Sequence, residues 1–141
     1  MSSSNNAPQP QQQAMETELL ENVLIANGIS DEVVKQKPQS VTQLEMVHHN
    51  CTQLPNNLFQ LFPSLRELCI VAQQHITTIS GITGATSLEV LWLCECNIDH
   101  IAGLESAIHL KKLFLYSNHI KTIENLCGLQ ELQVLWLSNN S

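Results

Sequence analysis

Two cysteines and a histidine lie close together in the segment LEVLWLCECNIDHIAGL, residues 88–104. Cys94 and Cys96 are two residues apart, and His100 follows four residues after Cys96. Thiolate and imidazole groups are the usual ligands of structural zinc, so this spacing raises the question of a metal site. Zinc sites normally combine two such ligand pairs at set distances, and the sequence contains no second pair with that spacing. We therefore expect no metal and no cofactor here.

A second group of potential ligands is His48, His49, Asn50 and Cys51. Neighbouring residues of an extended segment point in opposite directions, so these four are expected to form a strand-to-turn corner and not a shared site. The segment GITGAT lacks the Gly-Lys-Ser/Thr ending of a phosphate-binding loop, and the sequence has neither H-E-x-x-H nor G-x-S-x-G. The sequence therefore predicts a protein that is not an enzyme.

Composition narrows the class of partner. The chain has 141 residues, of which 43% are hydrophobic and 13% charged, which is enough for one domain with its own core. Acidic residues outnumber basic ones 13 to 6, for a net charge of -7, so nucleic acid and anionic membrane are expected to be repelled. The beginning of the sequence, MSSSNNAPQPQQQ, has no features of a secretion signal. We expect a location in the cytoplasm or nucleus, with the five cysteines reduced.

The first 40 residues divide into a tail and a helical cap. Residues 1–14 are polar and are expected to be a disordered tail. Residues 15–40 predict two helices: one from about Met15 that ends at Gly28, and a short one with Ser30 as its N-cap that ends before Pro38.

Residues 41–141 are dominated by internal repetition. The segments 88–109 and 110–131 are each 22 residues long and share almost every apolar position of the pattern L-x-x-L-x-L-x-x-N-x-I. Further copies begin at 41, 65 and 132, and the copy that begins at 132 is incomplete. Gln73 and Cys96 occupy the position at which later copies have Asn118 and Asn140. We expect Cys96 to be a buried thiol and the adjacent Asn97 to supply some of the missing hydrogen bonds.

This pattern is typical of a leucine-rich repeat array. Alternating leucines form a short strand with one buried face, and no repeat can bury its apolar side without its neighbours. The predicted fold class is therefore α/β: a leucine-rich repeat solenoid, a right-handed superhelix with a parallel sheet on its concave face, and an N-terminal helical cap.

Strand alternation predicts which side chains face away from this core. The third, fifth and seventh residues of each repeat should line the concave face. Both tryptophans and the only tyrosine occupy these positions. The predicted partner-binding residues are Trp92, Phe114, Tyr116, Trp136, Cys94, Val90, Glu67 and Lys112. Glu89 and Glu95 are expected to join Glu67 and Lys112 in a polar rim. The alternative is that these bulky residues only support packing between strands, or are covered by another part of a longer chain.

The 22-residue period and the segments LYSNHIKTIENL and LQVLWLSNN resemble the short-repeat subfamily that includes the leucine-rich repeat regulatory subunit of protein phosphatase 1. The resemblance implies a non-catalytic interaction scaffold in the cytoplasm that binds a protein, with a phosphatase or a component of cilia as candidates. A regulatory subunit that modulates a phosphatase is the alternative. Because the protein that the sequence most resembles in this subfamily is longer, we expect a fragment, a truncated gene model or a short isoform. Its last strand is then expected to expose an apolar edge that favours self-association.

Overall fold

The computed structural model describes residues 9–47 and 51–141. The elements follow the chain in this order: helices α1 (Pro10–Ala26) and α2 (Asp31–Gln36), a 3-10 turn (Pro38–Ser40), strand β1 (Gln43–Val47), helix α3 (Leu58–Leu61), and strands β2 (Glu67–Val71), β3 (Val90–Cys94), β4 (Lys112–Phe114) and β5 (Val134–Trp136). His48, His49 and Asn50, whose arrangement the sequence analysis considered, lie outside the described residues, as do residues 1–8 of the predicted tail.

Helix α1 begins earlier than the apolar pattern predicts. It starts at Pro10 and not near Met15, so residues 10–14 of the predicted tail are helical. Proline suits the first position of a helix because the missing N–H has no partner there, and the following glutamines are good helix formers. The helix ends as predicted, with Gly28 in the left-handed region at φ 64°. The backbone N–H of Ile29 then donates to the Leu24 carbonyl at 2.9 Å.

Asn27 joins the helical cap to the sheet. Its side-chain nitrogen donates to the backbone carbonyl of Glu45 at 2.8 Å, and its side-chain oxygen accepts from the Glu45 N–H at 2.7 Å. The amide thus pairs with β1 as the peptide group of a further strand would. One pair of exposed backbone groups on that edge is satisfied.

Helix α2 follows the predicted capping pattern. The Ser30 hydroxyl accepts from the backbone N–H of Val33 at 3.4 Å, and the helix ends at Gln36, before Pro38. Asp31 and Glu32 lie in its first turn, where carboxylates interact favourably with the helix dipole.

The five strands form one parallel sheet in the order β1-β2-β3-β4-β5. Sequential parallel strands require crossover connections, which are right-handed in nearly all proteins. The strands align at the residues that the repeats predict: Leu44, Leu68, Leu91 and Leu113 are successive partners. The predicted fold, a leucine-rich repeat solenoid with a helical cap at its N-terminal end, is confirmed.

The core lies on one side of the sheet. The inward leucines Leu68, Leu91 and Leu113 are fully buried, as are Leu88 and Leu110 at the starts of their repeats. Removing one such side chain from water stabilises the fold by about 2 kcal/mol. By contrast, Leu135 of the edge strand β5 and its neighbours Leu132 and Leu137 are only partly buried.

Asparagine side chains stabilise the turns that follow β4 and β5. The Asn118 side-chain nitrogen donates to the carbonyls of Leu93 at 2.7 Å and Leu115 at 3.0 Å, while its oxygen accepts from the Ile98 N–H at 3.1 Å. Asn118 therefore connects its own turn to the preceding repeat. Asn140 makes the corresponding contacts one repeat later.

The two substitutions in this asparagine position have different consequences. Gln73 is fully buried and reproduces the pattern, since its amide nitrogen reaches the Met46 and Val71 carbonyls, each at 3.3 Å, and its oxygen accepts from the Cys51 N–H. Cys96 is buried as expected, and its thiol donates to the Cys94 carbonyl. The Asn97 side chain donates to the Gln74 carbonyl at 2.6 Å, which links the two turns but is not one of the bonds that an asparagine in place of Cys96 would make, so the expected compensation stays a prediction.

Candidate partner-binding face

The face of the sheet opposite the core, here called the open face, carries the residues at the third, fifth and seventh repeat positions. The strand register places Glu45, Cys69, Trp92, Phe114 and Trp136 in one row across all five strands. A parallel row contains Gln43, Glu67, Val90, Lys112 and Val134. In a leucine-rich repeat solenoid the sheet lines the inner side of the curve, so the open face is the concave one. The predicted rows are confirmed.

An aromatic cluster occupies the second half of this face. The rings of Trp92 and Phe114 stack with centroids 3.7 Å apart and planes 12° from parallel. The ring centroid of Trp136 lies 6.2 Å from that of Phe114 and 6.0 Å from that of Tyr116, and the ring planes are tilted in both pairs. Such packed rings lose little conformational entropy when a partner covers them. We refer to Trp92, Phe114, Tyr116 and Trp136 as the aromatic cluster.

Exposure varies strongly within the cluster. The Trp136 side chain is 51% exposed, and Trp92 and Tyr116 are intermediate. Phe114 is only 8% exposed because a tryptophan packs on each side of it. Phe114 therefore supports the two indoles more than it offers contact area of its own.

The burial of Cys94 differs from the prediction made from the sequence. It was expected to present its thiol on the concave surface, but its exposed fraction is 0%. The thiol donates to the Phe114 carbonyl at 3.3 Å and interacts with the side chain of Tyr116 on the next repeat. Cys94 thus lies on the open side of the sheet beneath its neighbours and cannot itself contact a partner.

Cys94 and Cys96 lie in different surroundings. Cys94 packs under Tyr116, whereas Cys96 belongs to the core. Burial raises the pKa of the Cys94 thiol to about 11 and also raises the pKa of the Cys96 thiol. In residues 9–47 and 51–141, no group of three or more His, Cys, Asp or Glu residues could hold a metal ion.

The first half of the open face is acidic. Glu45 is exposed on β1, and Glu67 on β2 accepts from the Trp92 indole N–H at 3.3 Å and from the Gln43 amide at 3.1 Å. Both carboxylates lie near Cys69, since Glu45 is its partner on β1 and Glu67 precedes it by two residues on β2. Burial raises the pKa of the Cys69 thiol, and the two negative charges raise it further. Glu45, which the sequence analysis did not select as a site residue, therefore belongs to this face.

The residues of the expected polar rim do not form one group: Lys112 lies on the open face, whereas Glu89 and Glu95 lie just before and just after β3. Lys112 is exposed on the open face, at the start of β4, and Val90 is its half-buried neighbour on β3. Glu95 is exposed at the end of β3 and contributes to the raised pKa of Tyr116. Glu89 precedes β3 and forms ion pairs with Lys111 at 2.9 Å and Arg66 at 3.5 Å.

The repeats match a known family. Residues 108–141 match the family model of leucine-rich repeats in two copies, and the stacked strands continue the same unit toward the N terminus. The chain has the fold of a leucine-rich repeat solenoid, and proteins of this fold generally serve as protein-interaction modules. Among the residues that the structure describes, no helix combines the length and apolar character needed to span a membrane.

Proposed function

We propose that the protein is a non-catalytic scaffold that binds a partner protein through the open face, with the aromatic cluster as the main contact. The observation that carries the proposal is the exposed indole of Trp136, which lies beside the half-buried Tyr116 on a rigid sheet. Exposed aromatic residues of this kind are enriched among the side chains that dominate binding energy at interfaces. The residues offered to the partner are Trp92, Tyr116, Trp136, Val90, Glu67 and Lys112, with Phe114 as their support.

The proposal is tested by capture of partners from cell extract with the immobilised full chain. We expect Trp136→Ala to remove the specifically captured proteins, because truncation of an aromatic anchor at an interface typically costs about 2 kcal/mol or more of binding free energy. Ile123→Ala is the matched control, since Ile123 is also a large exposed apolar side chain, 65% exposed, but lies in the return segment of its repeat and not on the open face. Equal capture by the wild type and Trp136→Ala would contradict the proposal.

A second candidate function is regulation of a protein phosphatase. It is favoured by the 22-residue repeats of 88–131, which resemble those of the phosphatase 1 regulatory subunit. Within the same class the sequence also resembles the N-terminal region of leucine-rich repeat-containing protein 9, which adds a cytoplasmic, cilium-associated location to the proposal. Addition of the protein to a purified catalytic phosphatase should change its rate on a phosphopeptide, and Trp136→Ala should not.

A further inference from the structure

The open face has two chemically different halves. The aromatic cluster covers β3 to β5, whereas β1 and β2 carry the carboxylates of Glu45 and Glu67. The only basic residue in the paired rows of the open face is Lys112, on β4. An asymmetric distribution of charge across one surface selects for a partner with the opposite distribution.

The two carboxylates differ in how they are held, since only that of Glu67 has side-chain partners. Glu67 is anchored by the Trp92 indole at 3.3 Å and by the Gln43 amide at 3.1 Å, so it forms the boundary between the acidic half and the aromatic cluster. Each of its oxygens retains a further acceptor site, because an ionised carboxylate can accept about four hydrogen bonds. Glu45 is exposed and has no ion pair among the described residues, so its charge is available to a partner.

Spacing between the halves limits the shape of the occupant. Neighbouring strands lie about 4.8 Å apart, so the row from Glu45 to Trp136 spans roughly 19 Å. Glu67 and Trp136 are three strands apart in this sheet and two residues out of line, a separation of about 16 Å. A single peptide segment of roughly six extended residues could cover the whole row.

We propose that the open face, in its proposed role as a partner-binding surface, takes a segment of a partner protein that places Arg or Lys over Glu45 and Glu67 and an apolar side chain on Trp136. Lys112 fixes this orientation, because it repels a cation from the aromatic half. A second copy of this chain is a poor occupant, since its 13 acidic and 6 basic residues give it a net charge of -7. Arginine suits the site best, because its planar group can bind a carboxylate through two hydrogen bonds and can also stack on an indole.

The test is selection of a random 12-residue peptide library on the immobilised full chain, followed by titration of the selected peptides. We expect the selected sequences to combine Arg or Lys with a bulky apolar residue. The double substitution Glu45→Gln and Glu67→Gln keeps the size of the side chains and removes both negative charges, and it should weaken binding of these peptides about tenfold. Raising the salt concentration should weaken wild-type binding and have less effect on the double variant.

The matched control is Glu105→Gln with Glu124→Gln, which changes the net charge equally at exposed positions in return segments. If both double variants weaken peptide binding equally, the peptides are attracted only by the net charge of the protein, and the inference is overturned. Selected peptides without basic residues that still require Trp136 would overturn it as well, while leaving the proposed function intact. Failure to select any peptide would overturn the inference alone, whereas binding that Trp136→Ala does not reduce would contradict both proposals.

Discussion

Trp92 and Phe114 stack face to face, with ring centroids 3.7 Å apart, although they lie on different strands and 22 residues apart in the sequence. The stack exists because the two residues hold the same position in successive repeats, so the parallel register brings their side chains into contact. Trp136 repeats the position once more but meets Phe114 at a tilt of 54°. The three rings therefore divide into a packed pair and a more exposed third ring.

This division predicts different effects of two tryptophan substitutions. Trp92→Ala removes the stack and the hydrogen bond to Glu67, so we expect it to lower the free energy of unfolding by about 2 kcal/mol. Trp136→Ala removes a ring that is half exposed, and we expect a loss below about 1 kcal/mol. Urea unfolding followed by circular dichroism measures both. Equal losses would favour the alternative that the aromatic cluster only supports packing between strands.

The hydrogen bonds of the two turn asparagines predict different losses of stability on substitution by alanine. Asn118→Ala leaves the buried Ile98 N–H and the Leu93 carbonyl without their partner, and we expect it to cost about 2 to 4 kcal/mol of unfolding free energy. Asn140→Ala is the matched control, because Asn140 makes the same three types of bond but is only partly buried. Its cost should be about 1 kcal/mol. A smaller loss for Asn118→Ala than for Asn140→Ala would show that burial does not set the strength of these turns.

Gly103 predicts a steric effect between neighbouring repeats. It has a φ of 76°, and a Cβ atom at this position would lie 2.4 Å from the backbone oxygen of Ile79. Gly103→Ala combines backbone strain with a clash that no side-chain rotation can relieve, so we expect a loss of about 3 kcal/mol or more. Gly28 also has a positive φ but has open space around it, so Gly28→Ala should cost only about 1 to 2 kcal/mol. Thermal unfolding distinguishes the two, and equal shifts would contradict the clash.

The rows of the open face could be predicted from the sequence because the spacing of the leucines fixes both the register and the direction of every second side chain. The depth of Cys94 could not, because it depends on the conformation adopted by the Tyr116 ring one strand away. The role of Asn27 at the edge of β1 was also hidden, since a contact over 18 residues leaves no periodic signal. The early start of α1 at Pro10 was missed because a glutamine-rich segment has the composition of a disordered one.

The buried thiols predict a graded pattern of chemical modification. Cys127 is exposed, Cys69 is partly exposed, and Cys94 is buried with a pKa of about 11. With a thiol reagent at pH 8, Cys127 should react first and Cys94 only when the protein unfolds, because the thiolate is the reactive form. Mass spectrometry of digested protein after timed labelling measures the order. Labelling in denaturant, where all cysteines are accessible, is the control for intrinsic reactivity.

The same thiol makes a prediction about pH. Burial raises the pKa of Cys94 from 9.0 in an exposed thiol to about 11, so the folded protein retains a proton that the unfolded chain loses. The contribution of this group to stability is fully present below pH 9 and is lost as the pH rises through 11. Cys94→Ala should flatten the fall in unfolding free energy over this range. An unchanged slope, together with rapid labelling of Cys94 in the folded protein, would show that Tyr116 does not cover the thiol.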